Sequence, residues 1–239
     1  MLSGSEKYYD DIYSAMGKDY VVEANKLYEF IQKYKQTDGN SLLDVACGTG
    51  THAGLLSEQY QVEGIDLNAD MLKVARKKHP AIHFKQADMR GFDLGKQFDI
   101  VTCMFSAIGY MRTKAELQRA IKSMSRHLLP GGVLLVEPWF DLEQWRRGHV
   151  SIIQVDKPEL KIVRMSHSGK KGKISLLDFE YLIGTPKGIE HLSEHHEFGL
   201  FSQEEYMEAF VKAGLDVIHD SEGVDGRGLY IGLKPKHEA

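Results

Sequence analysis

The sequence predicts an α/β protein: a doubly wound, mostly parallel seven-stranded sheet with a small antiparallel β cap inserted late in the chain. Three observations predict it. Strand-like runs alternate with helical patterns from Ser41 to Pro138, a rhythm that places crossover helices on both faces of a parallel sheet. One of those runs, "FDIVTCMFS" (98–106), is apolar almost throughout, as expected of a strand covered on both faces. From about Val150 to Phe201 the rhythm gives way to β-prone runs separated by the turn segments "KPE", "SGKKGK" and "GTPKG".

Each element has a local reason. Leu27, Phe30, Ile31 and Tyr34 recur at spacings of three and four, one apolar helix face within residues 19–35, and "QTDGN" ends it. "SLLDVA" is a short strand, followed by a glycine loop and a helix from about Thr51 to Tyr60. "QVEGIDL" is a second strand. Asn68 caps the helix "ADMLKVARKK", which stops before His79-Pro80. "IHFKQAD" is the third strand and "FDIVTCMFS" the fourth. Thr113 with Glu116 forms a capping box that opens a helix to about Leu129. "PGG" then turns the chain into a fifth strand, "VLLVEP". Beyond the cap, Ser202 with Glu205 opens the helix "QEEYMEAFVKA", ended by Gly214, and the strands "LDVIHD" and "GLYIGLK" close the sheet. Residues 1–139 and 202–239 are thus expected to form the core, and 140–201 the inserted cap.

Composition narrows the function classes. The 239 residues are 42% hydrophobic and 27% charged, enough to bury a full core. A net charge of −4 without a basic face argues against nucleic-acid binding. There is no basic-then-apolar start and no apolar run of membrane-spanning length, so a cytoplasmic protein without a membrane partner is expected. Two cysteines, Cys47 and Cys103, make no disulfide framework.

The loop "DVACGTGTHAG" is the chemical centre. A phosphate-binding loop needs Gly-Lys-Ser/Thr at its end, but Gly50 is followed by Thr51 and His52. A dinucleotide loop runs Gly-x-Gly-x-x-Gly, and here the third glycine, Gly54, falls one residue late. Asp44 discriminates further. A carboxylate at the end of the first strand repels a pyrophosphate and favours a cation. S-adenosylmethionine (SAM) carries an ammonium and a sulfonium and no phosphate. Asp66 ends the second strand, where it can accept both ribose hydroxyls. Asp88 ends the third, near an adenine amino group, with Met89 as an apolar edge.

"LLDVACGTGTH", "GIDLNADML", "QADMRGF" and "LLPGGVLLVEPW" resemble the motifs of class I SAM-dependent methyltransferases, whose fold is Rossmann-like. With "GKDY", "MFSAIGYM", "RMSHS" and "DGRGLYIG", the chain from about Tyr9 to Leu233 is similar to the dTDP-3-amino-sugar N,N-dimethyltransferases of desosamine- and mycaminose-type pathways. Asp66 stands where those enzymes are expected to carry a glutamate; either acid serves a ribose. The resemblance implies N-methylation of a nucleotide-linked amino sugar, with SAM as methyl donor. Its motifs carry Ala46, Gly48, Gly50, Leu67 and Met71 to the cofactor beside the three acids. It also implies that the N-terminal segment folds over the cofactor, with Tyr13 covering the methionine end and Lys18 pairing with the methionine carboxylate.

In an open α/β sheet a ligand lies beyond the carboxyl ends of the strands. Met104, Ser106 and Tyr110 follow the fourth strand and should face the methyl group. Tyr110 is the candidate to steer or deprotonate the amine, and Glu137, after the fifth strand beside Trp139, the candidate to hold an ammonium. In the cap, Arg164 and Ser168 share one strand face and His167 takes the other. Arg227, on a glycine-flanked turn, is the expected diphosphate ligand. His191, His195 and His196 lie among strands without a completing Cys or Asp, so no metal is expected, and His196 is assigned to substrate instead. Other readings stay open here: a methyltransferase for another small amine or hydroxyl, a non-catalytic SAM-binding module, and an NAD oxidoreductase. The sequence leaves monomer and homodimer both open.

Overall fold

The computed structural model describes residues 4–236. Five parallel strands build the centre: β1 (Ser41–Val45), β2 (Gln61–Asp66), β3 (His83–Gln86), β4 (Phe98–Cys103) and β5 (Leu128–Val136). Four antiparallel strands follow: β6 (Val150–Lys157), β7 (Leu160–Lys171), β8 (Ile174–Thr185) and β9 (Gly188–Gly199). Then β10 (Asp216–Asp220) and β11 (Leu229–Leu233) return to the first sheet, giving the order β10-β11-β5-β4-β1-β2-β3. Only β11 runs antiparallel to its neighbours there. The expected seven-stranded, mostly parallel sheet and separate antiparallel sheet are both present.

The helices are α1 (Tyr9–Ala15), α2 (Tyr20–Tyr34), α3 (Thr51–Leu56), α4 (Ala69–Lys78), α5 (Lys114–Arg126) and α6 (Gln203–Lys212). One face of the large sheet buries Leu27 and Ile31 of α2, Ala53 and Leu56 of α3, and Leu72 and Ala75 of α4 against Leu42, Ile100 and Leu135. The other buries Leu117, Ile121 and Met124 of α5 and Tyr206 and Phe210 of α6 against Leu43, Val101 and Leu134. A fully buried aliphatic side chain contributes about 1.5–3 kcal/mol, so these two layers supply most of the driving force. Asn68 caps α4, accepting from the backbone of Asp70 and Met71, and Ser202 with Glu205 forms a complete capping box on α6. Both had been legible as cap signals.

Three local expectations change. α3 ends at Leu56 rather than near Tyr60, because residues 57–60 leave the helix in a turn that delivers Tyr60 to the core. "PGG" does not precede β5 but lies inside it. The β4 pairing jumps from Phe98–Leu128 to Ile100–Val133, so Pro130 and its glycines form a bulge. The N-terminal segment, for which no element had been expected, forms a 3₁₀ turn (Glu6–Tyr8) and α1. Its apolar residues Tyr8 and Ile12 pack on Val155, Ile162, Phe179, Tyr181 and Ile183 of the small sheet. On its other side Asp10 accepts from Thr49 Oγ1 (2.7 Å) and Thr51 Oγ1 (3.0 Å) beside the glycine loop. α1 is thus a wedge between the cap and the edge of the large sheet.

Close packing under the glycine loop depends on Gly64 in β2. A Cβ there would lie 2.6 Å from the Phe84 ring and 2.9 Å from Cys47 Sγ. Gly64→Ala should therefore lower stability by about 1–3 kcal/mol. Urea denaturation of the two proteins measures this directly; equal midpoints would show that Phe84 moves aside freely.

Candidate functional site

A cleft opens at the carboxyl ends of β1 and β4, lined by Tyr9, Tyr20, Asp44, residues 46–49, Thr51, His52, Met104 and Phe105. Its floor is strained backbone. Ala46 (φ 58°), Phe105 (φ 53°) and Ser106 (φ 54°) are the described non-glycine residues with left-handed φ, and all three border this cleft or its rim. Glu137, without exposed surface, holds the second of these turns. Its Oε2 accepts from Phe105 N (3.0 Å), and its Oε1 lies 3.1 Å from Ser106 Oγ and 3.6 Å from Arg227 Nη1.

Asp44 is 2% exposed, and among the described residues its side chain accepts one hydrogen bond, from Thr102 Oγ1 at 3.0 Å. Burial pushes its carboxyl up to about 6, partly opposed by His52 and the Thr102 hydroxyl and reinforced by Asp66. Asp66 accepts from Gly48 N (2.8 Å) and Asn68 N (2.7 Å), which tie the glycine loop to the end of β2. Burial raises its pKa too, against the pull of those backbone donors. Asp44 lines the cleft and Asp66 stands behind its glycine loop; among the described residues neither carboxyl has an ion-pair partner, which favours a cationic ligand.

Beside them lies a buried network that sequence reasoning missed. Glu23 of α2, 4% exposed, takes Lys18 Nζ at 2.5 Å and His52 Nε2 at 2.8 Å. Burial works to raise Glu23, but the His52 and Lys18 hydrogen bonds outweigh it and leave the carboxyl below its ordinary value. Tyr20 packs edge-on against His52 at 5.1 Å. The ammonium of Lys18 also sits 3.9 Å from the Phe105 ring centroid, so this lysine is not the free cation expected of it. "GKDY" and "GTGTH" carried Lys18 and His52, but no motif included Glu23, and only the fold places the three together.

Comparison with known proteins decides what such a cleft belongs to. A family model described as a methyltransferase domain matches residues 42–132. The chain is 41% identical to the dTDP-3-amino-3,6-dideoxy-alpha-D-glucopyranose N,N-dimethyltransferase of Streptomyces fradiae, over 94% of this chain and 89% of that protein. It is 36% identical to the dTDP-4-amino-2,3,4,6-tetradeoxy-D-glucose N,N-dimethyltransferase of Saccharopolyspora spinosa, over 95% and 91%. Among solved structures, DesVI of Streptomyces venezuelae superposes with a TM-score of 0.92 at 39% identity, covering 98% of this chain and all of that one. The chain belongs to the class I SAM-dependent methyltransferases.

The cleft of this methyltransferase fits SAM on its own evidence. The Tyr20 hydroxyl is buried without a partner at the cleft wall, a polar group that a bound ligand can satisfy. At Gly48 (φ 55°) a Cβ would meet nothing within 4 Å, so the open side of the loop is free for a ligand. Met104 lines the same wall, Met71 is buried on α4, and Leu67 stands 61% exposed after β2. Asp88 departs from expectation. Arg90 grips both its oxygens (2.6–3.0 Å) and, by that hydrogen bond above all, holds it below the usual carboxylate range. Any ligand donor at Asp88 would share the carboxylate with Arg90; Met89 packs on the core nearby.

The substrate-side candidates separate into two groups. Tyr110, at the end of a 3₁₀ turn (Ala107–Tyr110), reaches across to the cap and meets His196 Nδ1 at 3.1 Å. Arg164 enters the same space from β7 over the rings of Phe179 (4.5 Å) and Tyr13 (5.4 Å). The others are occupied. Ser106 Oγ lies 2.6 Å from Pro138 O and takes Arg227 Nη1 at 3.0 Å; Ser168 Oγ binds Arg146 O and His149 N; Trp139 Nε1 donates to Ser175 Oγ. His167 stands on the outer face of the cap, 3.9 Å from Asp178, because residues of opposite parity on β7 face opposite ways. That is the face opposite Arg164 and Ser168, as the strand parity had indicated. Glu137, with no exposure and both oxygens engaged, positions the loop in place of the direct ammonium contact expected of it.

The Asp44 carboxyl generates a prediction. Its raised pKa means the folded state holds the proton more tightly, so its contribution to stability is full below the ordinary 3.8 and lost as pH rises through about 6. At neutral pH the buried charge costs roughly 2–3 kcal/mol, which a bound cation offsets. Asp44→Asn should therefore raise the melting temperature of the ligand-free protein at pH 7.5 while weakening SAM affinity at least about 10-fold, one order being about 1.4 kcal/mol. Calorimetry should also show wild-type SAM affinity falling below pH 6 and the variant losing that pH dependence.

Proposed function

We propose that this methyltransferase transfers methyl groups to the amine of a dTDP-linked amino sugar. The observation that carries the reading is the extent of the likeness: identity of 36–41% to sugar N,N-dimethyltransferases runs through the cap as well as the SAM-binding half. In the division proposed, residues 1–139 and 202–239 bind SAM and residues 140–201 form the substrate cap. None of the described helices is long and apolar enough to cross a membrane, and a nucleotide-sugar acceptor points to work in the cytoplasm.

SAM, when bound, supplies a methyl group already activated on its sulfonium. The chain's own task is alignment and dehydration, and alignment alone supplies roughly 7–11 kcal/mol of barrier reduction. Asp44 and Asp66 hold the cationic and ribose parts, and Tyr9, Tyr13 and Phe105 wall the reacting end from water. Tyr9 and Phe105 contact Tyr13 with ring centroids at 4.5 and 4.8 Å, so the α1 wedge and the strained turn close on each other.

The diphosphate needs a cation, and Arg164 suits it better than Arg227. Arg164 is 4% exposed, its Nε has no partner, and its described hydrogen-bond contact is Met16 Sδ. Arg227 has Glu137 at 3.6 Å and Asp225 at 3.5 Å, which cancel its charge locally. We assign Arg164 the main contact and Arg227 the rim.

The test is mass spectrometry of the purified protein with SAM and a panel of dTDP-3-amino and dTDP-4-amino sugars. One or two added methyl masses are expected on one regioisomer. Arg164→Ala should raise KM for that sugar by about 10-fold or more, the scale of a lost charge-assisted hydrogen bond at about 1.5–3 kcal/mol, with SAM affinity unchanged. Tight SAM binding without methylation of any panel member would sink the amino-sugar reading.

A further inference from the structure

The cap contributes a chain of polar groups that no part of the cofactor cleft uses. From Tyr110 the hydroxyl meets His196 Nδ1 at 3.1 Å, and His196 Nε2 meets Glu194 Oε2 at 3.2 Å. Glu194 is 5% and His196 6% exposed. Glu194 also accepts from Tyr181 OH (2.9 Å) and from Ser5 Oγ. The imidazole is boxed by Phe179, with centroids 5.1 Å apart, and by Phe198, nearly parallel at 6.0 Å. Tyr110 packs on Phe198 at 4.6 Å. Only the outer end is open: Tyr110 keeps 44% of its surface exposed.

The hydrogen bonds set the direction of this chain. Burial alone would raise the Glu194 carboxyl, but hydrogen bonds from His196, Ser5 and Tyr181 leave it below its ordinary value. It is ionised at neutral pH and can only accept. His196 must then carry its proton on Nε2, which leaves Nδ1 as an acceptor and makes the Tyr110 hydroxyl the donor to it. The oxygen of Tyr110 is free to accept from outside. Despite the open edge, desolvation pushes the phenol's pKa well above its usual value, with Tyr13, Asp66 and Glu194 adding to the rise. A standing tyrosinate is therefore disfavoured. The phenol can pass a proton on while taking one up, but it cannot serve as the base alone.

We propose that Tyr110, His196 and Glu194 form a proton relay that deprotonates the acceptor ammonium, with Tyr110 as the contact, His196 as the base and Glu194 as the positioning residue. This rests on the amine-methylating function proposed above. In the step, an N–H bond of the ammonium breaks and an O–H bond forms on Tyr110. The original Tyr110 O–H breaks and an Nδ1–H bond forms on His196. The amine gains its lone pair, and the imidazolium is balanced by the Glu194 carboxylate. After methyl transfer the proton returns through Tyr110 to water at the open rim, and the relay is reset for a second methylation. The charged or titratable groups facing it are Glu194 of β9, Tyr181 of β8, Arg164 of β7, Tyr9 and Tyr13 of α1 and Asp66 of β2.

Two measurements test the relay, one of them without any sugar. In ¹⁵N-histidine NMR, His196 (assigned by its loss in His196→Asn) should appear as the Nε2–H tautomer. Tyr110→Phe should shift its Nδ1 resonance as the hydrogen bond is lost, and Glu194→Gln should redistribute the tautomers. An Nδ1–H tautomer in the wild type, or an Nδ1 resonance indifferent to Tyr110→Phe, overturns the relay whatever the acceptor is. In kinetics with the acceptor amine, Tyr110→Phe and His196→Asn should each lower kcat by about 10²–10⁴-fold, the range of general acid–base catalysis. KM for the amine should change by less than about 3-fold and SAM affinity not at all. In both variants log kcat should rise with unit slope with pH up to the acceptor's own titration, since only amine already free of its proton reacts. Rates and pH profiles like those of the wild type would overturn the relay while leaving the methyltransferase reading intact. Failure of the wild type on every amino sugar removes the substrate reading instead, and the NMR result then judges the relay by itself.

Discussion

Burying an ionisable carboxyl at the end of the central strand, with one hydroxyl as its side-chain partner, is an expense that most of the surrounding architecture is arranged around. Asp44 sits in the middle of the large sheet, between β4 and β2, where Thr102 is its cross-strand neighbour and only 2% of its surface is exposed. A salt bridge would remove the destabilisation and with it the attraction for a cation. Instead the nearest basic network, Lys18 and His52, is committed to Glu23, so cations stand close without neutralising Asp44. The site trades stability for affinity, as functional sites often do.

A second constraint is the turn after β4. Two successive residues with left-handed backbone, Phe105 and Ser106, are held by the fully buried Glu137 at the end of the adjacent strand. Burial raises the Glu137 pKa and Asp225 adds to it, while Arg227 and Lys18 work the other way. Glu137, Ser106 and Arg227 thus join β5, the β4 turn and the β10–β11 connection in one polar cluster. Strain of this kind persists only where the surroundings over-determine it. It aims the Phe105 ring at the α1 wedge and presents the following 3₁₀ turn, with Tyr110, to the cap.

The cap works through its inner face. Alternation along β7 and β9 buries Arg164, Ser166, Glu194 and His196 towards α1 and leaves His167, His191 and His195 outside, paired with Asp178 and Glu180. Of the two faces, the inner one carries the guanidinium of Arg164, the imidazole of His196 and the carboxylate of Glu194. In the function proposed above, it is this added sheet that would adapt a fold shared by methyltransferases of many kinds to one acceptor class.

The sequence by itself determined the architecture and the glycine loop around which the cleft forms. Strand and helix periodicities, the cap residues Asn68 and Ser202, and the loop geometry around Asp44 are local properties, readable because each depends on neighbours within a few positions. The hairpin turns of the cap were legible for the same reason. What only tertiary structure decided is the pairing of distant side chains. That Lys18 goes to Glu23, that Arg227 is shared by Glu137 and Asp225 while Arg164 has no carboxylate partner among the described residues, and that Tyr110 finds His196, 86 residues later, depend on how two sheets and a wedge helix meet. The N-terminal helix was hidden too, because what fixes it is a surface made by strands that begin about 140 residues further on. Periodicity tells which face of a strand is buried; it carries no information about which charge waits on the other side.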